Sequence, residues 1–150
     1  MVAVLIVEDD EHKIVDLKRE LLDVRPDVIV RAERSVRAGV IAVTSQEFDL
    51  LILDLSLPTF DETARNSGGL GQPQGGLEVL RMLRMRDLRP PIIIVSQYYQ
   101  VQFGSTYVAT EKATSRIAAD LNAHVVATIL YKLQTDAWVD KFRKAVEVAL

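Results

Sequence analysis

One hundred and fifty residues, 49% of them hydrophobic and 26% charged, suit one compact domain able to bury a sizeable core. A net charge of −3 leaves no basic footprint for direct nucleic-acid binding, and the lack of cysteine excludes disulfides, thiolate metal sites and cysteine nucleophiles. No apolar run reaches membrane-spanning length and the start lacks the basic region of a signal peptide, so the expected location is cytoplasmic, with no membrane contact.

Residues 2–7 (VAVLIV) predict a short buried strand. The recurrence of Ile14, Leu17 and Leu21 then predicts a helix over HKIVDLKRELLDV. A second strand is expected over 27–32 (DVIVRA), followed by a helix from Ser35, its cap, to about Thr44, with Val36, Val40 and Val43 apolar. DLLILD (49–54) is the third strand. Residues 58–76 hold five of the seven glycines and two of the five prolines, which predicts a loop insertion. Within it, SGGLGQPQGG lacks the Gly-Lys-Ser/Thr ending of a nucleotide-phosphate loop and is assigned no chemistry.

Leu77, Leu80 and Leu83 predict a helix over 77–88, and PPIIIVS (90–96) a fourth buried strand. Residues 97–124 are an extended segment: YYQVQFGSTYVA reads as loop or extended strand, and TEKATSRIAADL as helix. VVATILYK (125–132) is the fifth strand. A closing helix is expected over 135–150, capped by Thr135, with Trp138, Phe142 and Val146 stacked at fourfold spacing. His12 and His124 have no partner at ligand spacing and are read as surface or packing residues.

Five alternations of strand and helix predict an α/β fold: a doubly wound, five-stranded parallel sheet with helices on both faces, which binds ligands at the carboxyl ends of its strands. Strand one ends in Glu8, Asp9 and Asp10, strand three in Asp54, strand four in Ser96 and strand five in Lys132. Carboxylates gathered at one edge repel one another unless a cation joins them, and an all-oxygen donor set suits Mg²⁺.

VLIVEDD, LLILDLSLP, IIIVS and ILYK, in this order and each at a strand end, resemble the receiver domain of bacterial response regulators over nearly the whole chain. The resemblance implies a flavodoxin-like sheet of order 2-1-3-4-5 and a single receiver domain over 1–150. It further implies that Asp54 accepts a phosphoryl group from a sensor histidine kinase or phosphotransfer protein. Asp9 and Asp54 would bind Mg²⁺ directly, Glu8 through water, and the backbone carbonyl of Ser56 would complete the protein ligands. Lys132 would pair with one phosphoryl oxygen and Ser96 would donate to another. Such a domain is a signalling unit rather than an enzyme, catalysing only its own phosphorylation and dephosphorylation, and it acts on an unidentified output partner, with a homodimer left open.

Three positions depart from the family pattern: Gln97 where a small residue is usual, Leu133 where proline is usual, and Ile129 where a switching aromatic is usual. Tyr98, Tyr99 and Tyr131 are aromatic but stand elsewhere. These departures motivate an alternative, a degenerate receiver working as a phosphorylation-independent interaction module. A metal-dependent phosphatase with an aspartyl intermediate is disfavoured, because such enzymes carry a second acid two residues after the nucleophile and Ser56 stands there.

Overall fold

A computed structural model describes residues 1–59, 61, 71–72 and 75–150. Strand β1 (Val2–Val7) leads into helix α1 (Glu11–Val24), then β2 (Val28–Glu33), α2 (Val36–Ser45) and β3 (Leu50–Leu53). The short strands β4 (Leu57–Pro58) and β5 (Gly71–Gln72) precede α3 (Gly76–Met85) and β6 (Pro91–Ser96). Next come β7 (Gln100–Phe103), β8 (Thr106–Ala109), α4 (Thr114–Leu121), β9 (His124–Leu130) and α5 (Val139–Ala149).

Five strands pair in parallel in the order β2-β1-β3-β6-β9, which is 2-1-3-4-5 when only the central sheet is numbered. Both faces are covered, which is why the inner strands β1, β3 and β6 read as aliphatic runs instead of alternating with polar residues. Val4, Ile6, Ile52, Ile93 and Val95 point to one side, against Ile14, Leu17 and Leu21 of α1 and Phe142 and Val146 of α5. Leu5, Val7, Leu51, Leu53, Ile92 and Ile94 point to the other, against Val43 of α2, Leu80 and Leu83 of α3 and Ile117 of α4.

Several boundaries differ from those expected. Helix α3 ends at Met85 rather than 88 because Asp87 takes a left-handed conformation, φ 54°. Leu88 N–H then donates to Leu83 O and Asp87 N–H to Arg84 O, closing the last turn in a Schellman arrangement. Thr135 does not cap α5. Its hydroxyl donates to Lys132 O at 3.1 Å, Gln134 turns to φ 64°, and the helix starts four residues later at Val139.

Strand β9 ends at Leu130, although Tyr131 N–H still donates to Ser96 O at 2.8 Å, so Lys132 lies beyond the sheet in the following turn. The 97–124 segment is an antiparallel hairpin, β7–β8, turning at Gly104 (φ 61°), then a 3-10 turn over Thr110–Lys112 and helix α4. At the hairpin base Thr110 Oγ1 donates to Tyr98 O at 2.5 Å. Of the 58–76 insertion, most lies outside the described residues; its ends pair as Leu57 with Gln72 and Pro58 with Gly71. No helix among the described residues is long and apolar enough to cross a membrane.

Candidate functional site

Parallel register brings Val7 level with Leu53, and Leu53 level with Ile94, so whatever follows these residues emerges at one sheet edge. Asp54 N–H continues the ladder to Val7 O at 2.9 Å, and Glu8 N–H to Glu33 O at 2.9 Å. Carboxylate oxygens of Glu8, Asp9 and Asp54 consequently lie within 4.8 Å of one another. Glu8 and Asp54 are buried, at 2% and 7% exposure, while Asp9 is exposed.

The other sequence candidates stand around this trio. Asp10 serves as the N-cap of α1, its Oδ1 accepting from His12 N–H at 2.9 Å and Lys13 N–H at 3.3 Å. Ser96 is buried at the end of β6, and its Oγ accepts from Tyr98 N–H at 3.1 Å. Ser56 N–H donates to Asp54 Oδ1 at 3.3 Å. Gln97 Nε2 reaches over the rim to Asp10 Oδ2 at 3.3 Å.

Lys132 is solvent-exposed, with its ammonium 5.2 Å from the centre of the Tyr99 ring. Among the described residues, the cation within ion-pair distance of Asp54 is instead Lys13. Its side chain is fully buried, with Nζ 2.5 Å from Glu8 Oε2, 3.4 Å from Asp54 Oδ1 and 2.7 Å from Val95 O. Sequence reasoning missed this residue. The signal was present, because Lys13 precedes Leu17 and Leu21 at intervals of four and so falls on the buried stripe of α1.

Electrostatics follow from this burial. Desolvation pushes the Glu8 carboxyl up to about 8, against the pull of Lys13 and with help from Asp54. Asp54 is raised for the same first reason, desolvation, again opposed by Lys13. Tyr131, also buried, donates its hydroxyl to Asp16 Oδ2 at 2.7 Å, and burial followed by that bond raises its pKa.

The donor set fits a hard divalent cation: three carboxylates, of which the buried Glu8 Oε2 has, among the described residues, no hydrogen bond and only the Lys13 ammonium at ion-pair distance. Two of these carboxylates, Glu8 and Asp54, already share an oxygen with the Lys13 ammonium.

The model of the response regulator receiver domain matches residues 4–117. The chain belongs to this family. Receiver domains are signalling domains of two-component systems, and the five-stranded sheet has the flavodoxin-like order expected of them. This receiver domain is 33% identical to the Detocs response regulatory protein DtcB of Vibrio alginolyticus over 66% of its own length and 68% of the relative's. It is 25% identical to the protein of the same name from Enterobacter cloacae, over 70% and 71%. The Francisella response regulator 1452 receiver domain shares the fold, with a TM-score of 0.62, 14% identity, and coverage of 99% of this chain and 96% of that one. The family match ends before β9, so the strand leading to Lys132 lies outside it.

Proposed function

We propose that this receiver domain accepts a phosphoryl group on Asp54 from the phosphohistidine of a sensor histidine kinase or phosphotransfer protein, and that the modification switches an interaction surface for an output partner. The observation that carries the reading is the convergence of Glu8, Asp9 and Asp54 at the carboxyl edge of a parallel sheet, with their oxygens within 4.8 Å. Glu8, Asp9, Asp54 and the carbonyl of Ser56 would hold Mg²⁺, which when bound neutralises charge on the transferring group.

The chain's own residues do the rest. Asp54 supplies the attacking carboxylate oxygen, and Ser56 N–H holds its Oδ1 in place. Ser96 Oγ accepts from Tyr98, and a hydroxyl that accepts still has its proton to donate to a phosphoryl oxygen. Lys132 reaches the phosphoryl group by leaving the Tyr99 ring, so its cation–π contact marks a resting position. The domain turns over no external substrate, and its one reaction is its own phosphorylation and the reverse. The whole chain, 1–150, serves as one receiver unit in the cytoplasm.

Incubation with acetyl phosphate and Mg²⁺ should add one phosphoryl group by intact mass spectrometry, and Asp54→Asn should prevent it. Lys13 in the pocket favours a second reading, a receiver that docks its partner without phosphorylation. Partner or kinase binding unchanged by the phosphodonor, with no mass gain at Asp54, would establish that reading instead.

A further inference from the structure

The Lys13 ammonium has three N–H donors and three oxygens around it: Glu8 Oε2 at 2.5 Å, Val95 O at 2.7 Å and Asp54 Oδ1 at 3.4 Å. The Tyr131 ring lies 5.6 Å from Nζ and helps close the cage, and Trp138 packs against that ring at a tilt of 55° with centroids 5.0 Å apart. No part of the lysine reaches solvent. Two of its three partners, Glu8 and Asp54, also belong to the carboxylate trio able to hold a metal ion. An ion held by that trio would share its oxygens with the ammonium, in surroundings that screen repulsion poorly.

We propose that Lys13 is a resident countercation which competes with divalent metal for the acidic pocket and sets how tightly that metal is held. The inference rests on the metal-binding part of the function proposed above. Lys13 is the cation held between Glu8 and Asp54 while no metal is bound, and it must loosen its hold on Asp54 Oδ1 before that oxygen can take a metal ion. The buried carboxylates therefore remain ordered without metal, and affinity is lower than the acids alone would give.

Isothermal titration with Mg²⁺ and Mn²⁺ tests this on the intact protein and on Lys13→Met, which keeps the volume and removes the charge. The variant should bind at least about tenfold more tightly, the scale on which neighbours of a metal site tune affinity. Equal or weaker binding by the folded variant overturns the inference. If that variant fails to fold, lysine ¹³Cε spectra of the unmutated protein decide, because Mg²⁺ should displace the Lys13 resonance in step with the backbone signals of Glu8 and Asp9. A stationary Lys13 signal, or no metal binding at all, overturns it too. Absence of binding in both proteins also removes the metal from the proposed function, whereas equal affinities leave that function standing and remove only the role of Lys13.

Discussion

Glu8 occupies a position that favours its proton in the metal-free protein. Its ordinary pKa of 4.5 rises to about 8 on folding, with desolvation the largest cause. Between those values the folded chain holds a proton that the unfolded chain has released, so stability falls as pH climbs through the window and levels off above it. The raised Asp54 carboxyl acts in the same direction. Urea midpoints measured in chelator from about pH 4.5 to about 8 should therefore decline, and Glu8→Gln should flatten the slope. A midpoint that rises over that range in the unmutated protein would contradict the burial argument.

Helix α3 is joined to the backbone just after β3 by a contact that tolerates no side chain. Gly76 N–H donates to Leu55 O at 2.8 Å, and a Cβ on Gly76 would stand 2.2 Å from Asp54 O and 2.9 Å from Leu55 Cα. Both obstacles are backbone, so relief requires the helix to move away from β3. Gly76→Ala should cost about 1–3 kcal/mol or more in chemical denaturation, as overpacking does. On the proposed function it should also slow phosphorylation from acetyl phosphate, because the displaced backbone is the one that carries Asp54. A variant as stable as the parent would show that α3 can shift freely.

At the scale of the whole molecule, two apolar layers share one sheet, and alternate residues of each strand serve opposite layers. Leu51 faces the α2, α3 and α4 side while Ile52 faces α1 and α5. Losing one layer exposes the strands of the other, which makes a single cooperative transition the expectation. Trp138 reports from the α5 side and Leu80 is buried on the opposite one. Leu80→Ala should cost about 2–5 kcal/mol and shift Trp138 fluorescence and far-UV circular dichroism by the same amount. Separation of the two curves would mean that the layers unfold independently.

The central sheet was legible from the chain because a strand covered on both faces must be aliphatic throughout, and each such run ends where its first polar residue meets solvent or a partner. Glu8, Asp54 and Ser96 were found in that way, their strand ends being marked locally. Lys132 shows where the local signal stops: the β-type pattern runs into ILYK, yet pairing beyond Leu130 depends on a turn in which Thr135 bonds back to the chain. The hairpin after β6 was undecided for a related reason, since its pairing joins residues through Gly104 and gains its support from Val101 packing into a distant core. Sequence alone determined the alternation of parallel strands with helices and the carboxylates at the sheet edge. Tertiary structure alone decided which ammonium answers them, because a charge at a helical core position is stable only where oxygens from other strands, here Glu8, Asp54 and Val95, come together around it.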